Sequence, residues 1–179
     1  EKLSATESKM EALRNITERY DGYGNSIRRV MEQKQWNPGI IGVVADIITV
    51  NQKYEVAVET ALGGSIQNIV TEDDATAKRM ISYLKTNRLG RATFLPLNTI
   101  TDRGSVRNDV LREKGVIGVA SDLVEVDSKF NTLVKNLLGK IIVVDNIDNA
   151  LAVARKNNQS LRLVTIEGEL INPGGSMTG

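Results

Sequence analysis

The sequence contains no cysteine and no histidine among its 179 residues. The absence of cysteine excludes disulfides, thiolate nucleophiles and cysteine metal sites. The absence of histidine excludes Ser-His-Asp catalysis, imidazole metal ligation and the most common general base near neutral pH. A Mg²⁺ or Ca²⁺ ion held by carboxylates stays open, although the sequence carries no motif for one. The composition therefore leaves few routes to enzyme activity.

Aromatic residues, net charge and long apolar runs are also scarce. Aromatic side chains make up 4% of the chain, Trp36 is the only tryptophan, and 23 basic and 22 acidic residues leave a net charge of +1. There is no apolar run of about 18 residues and no signal peptide, so we expect a soluble, cytoplasmic protein with no membrane partner. The apolar fraction of 41% is sufficient for one domain or two small, closely packed subdomains.

One stretch of 22 residues occurs twice. Residues 42–63 align with residues 118–139 without a gap, at an offset of 76. Unrelated segments would share about one or two identities, so the eight found here indicate a duplicated structural unit rather than two similar segments by coincidence. The identical pairs are Gly42/Gly118, Val43/Val119, Asp46/Asp122, Val50/Val126, Lys53/Lys129, Val58/Val134, Leu62/Leu138 and Gly63/Gly139.

Apolar periodicity and turn residues predict a mixed α/β (α+β) fold built from two pseudo-repeated small subdomains. We assign residues 21–99 to subdomain 1, residues 100–115 to a linker and residues 116–179 to subdomain 2. The predicted strands cover residues 39–50, 65–70, 92–95, 116–126, 140–144 and 161–166. The predicted helices cover residues 25–33, 53–62, 73–87, 129–138 and 148–156, with Gly63 as a left-handed cap and Asp148 as the equivalent of Asp73.

Residues 1–20 form a separate N-terminal segment. Their alternating spacings of three and four predict a coiled-coil stub helix. Since fewer than three heptads are present and two of the positions are threonine, an amphipathic helix packed on its own domain is the alternative. The positions of the pattern are Leu3, Thr6, Met10, Leu13, Thr17 and Tyr20.

Basic residues are concentrated between residues 78 and 114. This segment has nine basic and three acidic residues, a net charge of +6, whereas residues 1–77 carry −4 and residues 115–179 carry −1. A local excess of this size can hold a phosphate backbone. A solvated helix face followed by a linker is the alternative interpretation.

Two glycine pairs stand at corresponding points of the halves, Gly63-Gly64 and Gly174-Gly175. The closing segment is no Walker A loop, because no lysine follows its glycines, and no G-x-G-x-x-G joins a strand to a helix. Adjacent glycines allow positive φ and close backbone approach. We therefore interpret both pairs as places where the sheet edges of two subunits meet, with ordinary turn glycines as the alternative.

Asp46 and Asp122 recur in the repeat as single carboxylates beside a strand. A local cap or turn is favoured over catalysis for both. A Mg²⁺-dependent hydrolase that uses them stays open as an alternative function, as does a stand-alone small-ligand-binding α/β domain.

A series of motifs follows in order along the chain: the N-terminal heptads running into ERYDGYG, then GVVADIITV, KYEVAVETALGGSIQNIV, RATFLPLNTI and NPGGSMTG. Together they resemble the hinge domain of the structural-maintenance-of-chromosomes (SMC) proteins, in its bacterial form. The resemblance covers the chain from about Tyr20. In the family a returning coiled-coil strand would follow Gly179, so we expect a hinge excised from its arms.

The resemblance implies two related α/β subdomains and a ring-shaped homodimer, in which subdomain 1 of each chain pairs with subdomain 2 of the other. Two equivalent contacts then leave no edge for polymerisation. The residues expected at this interface are Gly174, Gly175 and Gly179, which match the family's interface glycines, and by extension Gly63, Gly64 and Ser65 of the strand predicted over residues 65–70.

The resemblance also implies that the hinge binds DNA, single- or double-stranded. With few aromatics, we expect phosphate-led contacts without strong sequence specificity. The DNA-binding residues, assigned by charge alone, are Lys78, Arg79, Lys85, Arg88, Arg91, Arg103, Arg107, Arg112, Lys114 and Arg162.

In the family, ATP binding and hydrolysis belong to head domains, which also bind a kleisin subunit. For this domain we therefore expect no catalytic residue, no cofactor and no metal. The expected role is a dimerisation hinge that joins two coiled-coil arms in a nucleoid-associated protein of chromosome condensation and segregation.

Overall fold

A computed structural model describes residues 24–179. The predicted coiled-coil stub over residues 1–20 lies outside the described residues. The helices are α1 Asn25–Glu32, α2 Val44–Ile47, α3 Glu55–Leu62, α4 Asp74–Thr86, α5 Asn108–Leu111, α6 Asn131–Leu138 and α7 Ile147–Lys156. The strands are β1 Ile40–Val43, β2 Thr49–Val50, β3 Ile69–Thr71, β4 Phe94–Pro96, β5 Val116–Val119, β6 Val124–Glu125, β7 Ile141–Val144, β8 Arg162–Thr165, β9 Leu170–Ile171 and β10 Met177–Thr178.

The strands form three sheets. Subdomain 1 contains a three-stranded sheet in the order β1-β3-β4, and subdomain 2 a five-stranded sheet in the order β10-β9-β8-β7-β5. A two-stranded ladder, β2-β6, joins the two subdomains. In the three-stranded sheet, β1 pairs antiparallel with β3, and β3 pairs parallel with β4. In the five-stranded sheet, β5 pairs antiparallel with β7, and β7 pairs parallel with β8. The mixed α/β prediction is confirmed.

The two copies of the duplicated unit share their strand pairing and the order of the elements around it. Val70 lies opposite Gly42 in the first sheet, as Val143 lies opposite Gly118 in the second, and both pairings contain a register shift just before the glycine. The helix that follows begins after a side-chain cap in each copy: Asp73 accepts from the Thr76 N–H, and Asn146 accepts from the Asn149 N–H. Asn146, and not Asp148, is therefore the equivalent of Asp73.

The two long strands predicted over residues 39–50 and 116–126 are each broken in the middle. A short helical segment interrupts both, at Val44–Ile47 in the first copy and Ala120–Leu123 in the second. In the first copy the Val44 N–H donates to the carbonyl of Asn68 at 3.0 Å, so a contact distant in sequence redirects an apolar, β-branched stretch.

The β2-β6 ladder lies on a pseudo-two-fold axis within the chain. Thr49 pairs with Glu125, which is its own equivalent in the repeat at an offset of 76, and Val50 pairs with Val124. The Thr49 hydroxyl also donates to the Glu125 carbonyl at 3.0 Å. Equivalent residues that face each other across an antiparallel pair are exchanged by a two-fold rotation, so the two subdomains pack as a pseudo-symmetric pair.

A single apolar core spans both subdomains. A second apolar cluster covers the opposite face of the five-stranded sheet. Strand β7 shows the division, because its four residues are all buried. Ile141 and Val143 belong to the main core, whereas Ile142 and Val144 pack against α7 and Val110 of α5. The alternation is that of a strand with apolar layers on both faces.

The structure departs from two further predictions of secondary structure. The segment predicted as a strand over residues 65–70 is a 3-10 turn, Gly63–Gln67, followed by the short strand β3. The predicted linker over residues 100–115 contains α5, whose Val110 is 1% exposed and belongs to the second cluster. The second half of that linker is therefore packed on subdomain 2.

Among residues 24–179, none of the helices combines the length and the apolar character needed to cross a membrane.

Candidate dimer and nucleic-acid interfaces

Gly174 and Gly175 form the turn between β9 and β10. Their φ angles are 93° and 100°, in the left-handed region that favours glycine. The Gly175 N–H donates to the Asn172 carbonyl at 2.9 Å, and the Gly174 N–H donates to the Gln159 carbonyl at 2.7 Å. The space beside the Gly174 Cα is open, with no atom within 4 Å of a Cβ placed there. Turn geometry thus accounts for both glycines, and the open side leaves room for an approaching chain.

Strand β10 is an edge strand with one exposed apolar side chain. It pairs only with β9 in the described part of the chain, with Met177 opposite Ile171. Met177 is 52% exposed. An unpaired strand edge that carries an exposed methionine is suited to contact another protein surface.

Strand β4 forms the other short edge, in subdomain 1. The Thr93 carbonyl accepts from the Ile69 N–H, and the Leu97 N–H donates to the Thr71 carbonyl, so these residues face β3. Because neighbouring residues in a strand point their polar groups in opposite directions, Phe94 and Pro96 face the open edge. Proline has no N–H to donate, and its carbonyl already accepts from Thr99 and Ile100. Pairing at this edge is therefore restricted to Phe94.

The two subdomains differ in what lies beside the outer edge of this strand. In subdomain 2, the strand equivalent to β4 is β8, and its outer edge is covered by β9. Subdomain 1 has no counterpart of the β9-β10 hairpin among the described residues. Among residues 24–179, the outer edge of β4 is therefore unpaired at the position where subdomain 2 carries β9.

Gly63, Gly64 and Ser65 lie in the 3-10 turn after α3 and not in a strand. Gly63 has a φ of 55°, as predicted for a helix cap, but its ψ of −133° is not that of the left-handed helix. The strand that follows, β3, lies in the interior of its sheet between β1 and β4. The predicted strand over residues 65–70 is therefore wrong as a strand, and contact of Gly63, Gly64 and Ser65 with a second chain stays a prediction.

A basic cleft of about 650 Å³ lies in subdomain 2, between the linker, α6, β8 and the end of α7. Its lining includes no carboxylate. The apolar part is formed by residues such as Leu137, Ile141 and Leu161. The cationic side chains are Arg103, Arg107, Lys140, Lys156 and Arg162.

Hydrogen bonds to α6 and α7 hold the linker wall of this cleft in place. Buried Asn157 donates to the Val153 carbonyl at 2.8 Å and to the Glu113 carboxylate at 3.1 Å, and it accepts from Arg107 at 3.0 Å. Asn136 of α6 donates to the Thr101 carbonyl at 2.9 Å. Because these bonds join the linker to two helices, the cleft has a defined shape.

The ten basic residues predicted to bind DNA are all exposed, but they do not form one surface. Arg103, Arg107 and Arg162 line the cleft, together with two lysines that the prediction missed, Lys140 and Lys156. Another pair, Lys78 and Arg79, lines a separate groove on α4. The remaining five line neither cavity: Lys85, Arg88, Arg91, Arg112 and Lys114.

Asp46 and Asp122 occupy equivalent exposed positions in the short helical segments after β1 and β5. Within residues 24–179, no group of three or more acidic side chains is placed to hold a metal ion. The N-cap positions of these segments are Val43 and Val119, so neither aspartate is the cap, and a local turn role stays a prediction.

Comparison with known proteins identifies the family. Residues 37–154, which are more than half of the chain, match the family model described as "SMC proteins Flexible Hinge Domain". The chain belongs to the SMC hinge family. Membership favours the hinge interpretation over a hydrolase or a stand-alone ligand-binding domain.

Relatives of this hinge are full-length chromosome partition proteins. It is 41% identical to the Chromosome partition protein Smc of Lactiplantibacillus plantarum over 99% of the chain. It is 40% identical to the Smc protein of Bacillus subtilis over 96% of the chain. In both comparisons the chain spans about 15% of the relative's length.

Solved SMC hinge structures share the fold. The hinge domain of Geobacillus stearothermophilus, solved as an asymmetric dimer, is 38% identical with a TM-score of 0.84, over 93% of this chain and 69% of that one. The Pyrococcus furiosus hinge domain is 37% identical with a TM-score of 0.73, over 94% of this chain and 87% of that one. The resemblance inferred from the sequence motifs is confirmed.

Sequence reasoning missed several residues of the hinge that the structure places at candidate interfaces. Met177 lies in a strand of two residues, too short for an alternating pattern to be visible. Lys140 and Lys156 lie outside the basic segment and reach the cleft only through the fold. Their charge was visible in the sequence, but their position required the packing of α6, α7 and β8.

Proposed function

We propose that this hinge forms a homodimer in which the β10 edge of each copy contacts the β4 edge of the other. The observation that carries the proposal is the open edge of β4, whose equivalent in subdomain 2 is covered by a hairpin. The hairpin of a second copy, with the exposed Met177, supplies what subdomain 1 lacks.

The two-fold symmetry of such a dimer produces the same contact twice. Each contact joins unlike subdomains, so the pair of copies closes on itself and leaves no edge for further association. Once the first contact forms, the second is intramolecular and benefits from a high effective concentration. Short edges can therefore support a stable dimer.

The test uses Met177→Asp. Because Met177 is exposed, the charge should leave the fold intact but oppose burial in the contact, and sedimentation should show a shift towards monomer. Ile81→Asp is the matched control, since Ile81 of α4 is 51% exposed. An unchanged dimer in Met177→Asp, or equal loss in the control, would contradict the proposal.

The interface glycines are less suitable for this experiment. Gly174 and Gly175 both require positive φ, so any larger residue strains the hairpin itself. Loss of the dimer in such variants would not distinguish a blocked contact from a distorted β10.

We also propose that the basic cleft binds DNA through its phosphates. Five cationic side chains converge there without a carboxylate in the lining. Arg107 is the least available of them, because it bonds Asn157 and lies 3.3 Å from the Asp109 carboxylate. The remaining arginines and lysines of the cleft provide the attraction for a phosphate backbone.

Replacing Arg103, Lys140 and Lys156 with glutamine tests the cleft. Each neutral residue should weaken binding and reduce the slope of log affinity against log salt by about one. Lys135→Gln, an exposed lysine of α6 outside the cleft, serves as the control. If affinity and slope are the same in the triple variant and the control, DNA binds elsewhere.

In the whole protein, we propose that the hinge joins two coiled-coil arms of a chromosome partition protein and has no catalytic role itself. The relatives named for that process support this role. ATP hydrolysis, a kleisin partner and association with the nucleoid belong to the same proposal, and all concern parts of the protein beyond this domain.

A further inference from the structure

Trp36, the only tryptophan of the chain, is 67% exposed. It lies in the turn between α1 and β1. A single exposed apolar side chain is common on protein surfaces and by itself indicates nothing. Two further features distinguish this one: the rigidity of its turn and the composition of the adjacent groove.

The turn that carries Trp36 is fixed to the body of subdomain 1. The Trp36 N–H and the Asn37 N–H both donate to the Gln33 carbonyl at 3.0 Å. The Gln33 amide donates to the Tyr83 hydroxyl at 3.4 Å, and Arg79 donates to the Asn37 side chain at 3.5 Å. A backbone turn that is already formed does not have to be ordered when a ligand binds, which lowers the entropic cost of binding.

The groove beside this turn runs along α4 and has a volume of about 630 Å³. Asn37, the neighbour of Trp36, lines it together with Lys78, Arg79 and the half-buried ring of Tyr83. No carboxylate lines it.

The acidic residues that flank this turn and begin α4 in the sequence do not line the groove. Glu32, four residues before Trp36, pairs with Arg29 at 3.2 Å. Asp73 and Asp74, at the far end of α4, accept hydrogen bonds from Thr76 and Asn98 respectively. The groove therefore carries two cations, and the exposed Trp36 belongs to the turn whose next residue, Asn37, lines it.

We infer that Trp36 stacks against an unpaired base of single-stranded nucleic acid, whose backbone follows the α4 groove past Lys78 and Arg79. An unpaired base offers its face to an aromatic ring, whereas the bases of a duplex are already stacked on each other. This inference deepens the DNA-binding part of the proposed function, but it uses residues outside the basic cleft.

The emission of Trp36 reports on this site directly, because no other tryptophan is present. Oligothymidylate should quench it, whereas an abasic oligonucleotide of the same length, with the same phosphates and no bases, should not. A duplex of that length should also leave the emission unchanged. Bound fractions are matched by fluorescence anisotropy of labelled strands, so that a lack of quenching is not confused with a lack of binding.

Substitution of the ring provides a second measurement. Trp36→Ala should weaken oligothymidylate binding about 5- to 150-fold, the range expected for one stacked base. Trp36→Phe should recover most of the affinity, and Lys78→Gln should reduce the salt slope by about one. Because Trp36 and Lys78 are exposed, thermal unfolding should be unchanged in all three variants.

The outcomes separate this inference from the proposed cleft. If oligothymidylate still quenches Trp36 when Arg103, Lys140 and Lys156 are replaced with glutamine, the Trp36 site binds independently of the cleft. The inference is wrong if oligothymidylate binding requires those three residues, leaves Trp36 emission unchanged and has the same affinity in Trp36→Ala. The proposal that the cleft binds DNA would then stand. Blue-shifted emission in the protein alone would mean that residues 1–23 or a second copy covers the ring, and would also overturn it.

Discussion

At the scale of single residues, the repeat offers two caps at equivalent positions that differ in charge. Asp73 caps α4 and Asn146 caps α7, each accepting a backbone N–H at 2.8 to 2.9 Å. The Thr76 N–H, then the Thr76 side chain and more weakly the charge of Arg79, lower the pKa of Asp73 below its usual value. Asparagine makes the same kind of bond without titrating, so only the first cap depends on pH.

The lowered pKa of Asp73 has a defined consequence for stability. A carboxyl with a lower pKa in the folded state contributes stability that is present above its unfolded pKa and is lost as the pH falls through the folded value. Asp73→Asn should therefore keep the cap and reduce the loss of stability between neutral pH and about pH 3. Urea unfolding at both pH values measures this effect.

The second cap supplies the control for this experiment. Asn146→Asp should increase the sensitivity to acid, whereas Asn146→Ala should cost about 1 kcal/mol at every pH. If Asp73→Asn and wild type lose the same free energy of unfolding on acidification, the carboxylate of Asp73 has no part in acid sensitivity.

At the scale of helices and strands, the order of elements was predictable because their signals are local. The ends of α3 and α4 follow from glycine and acidic caps that lie next to them in the sequence. The helical break at Val44–Ile47 was not predictable, since its apolar residues read as a strand and the Asn68 carbonyl that redirects it is distant in sequence. The distribution of the basic residues, some in two separate grooves and some in neither, depends on the same kind of long-range packing.

The contact between α4 and the residue before β1 allows a second prediction. A Cβ on Gly39 would overlap the Thr76 hydroxyl of α4 and lie 3.1 Å from its Cβ. Gly39→Ala should therefore lower the free energy of unfolding by about 1–3 kcal/mol, as overpacking does, in urea titrations.

Two variants make this result specific. Gly118→Ala should cause no loss, since no atom lies within 4 Å of the new Cβ and Gly118 has no positive φ. Adding Thr76→Ala to Gly39→Ala should restore part of the stability, because the overlapping atoms are removed. Fully additive losses in the double variant would mean that the cost of Gly39→Ala does not come from Thr76.

At the scale of the whole molecule, the pseudo-two-fold axis explains why one chain carries two different edges. Strands β4 and β8 hold equivalent positions in the two sheets, and the hairpin added after β8 makes the two halves different. In the proposed dimer, two copies related by a true two-fold axis would satisfy both edges at once. In such an arrangement each of the two contacts contains one Met177.

Mixed dimers measure this arrangement. A dimer of one wild-type and one Met177→Asp copy keeps one intact contact, so its free energy of association should lie midway between those of the two homodimers. If instead the two Met177 side chains packed against each other in one shared contact, the first substitution would remove most of the stability and the second would add little. Dissociation constants of the three dimers, measured by energy transfer between differently labelled copies, distinguish the two arrangements, and a mixed dimer as weak as the doubly substituted one would rule out contacts between unlike subdomains.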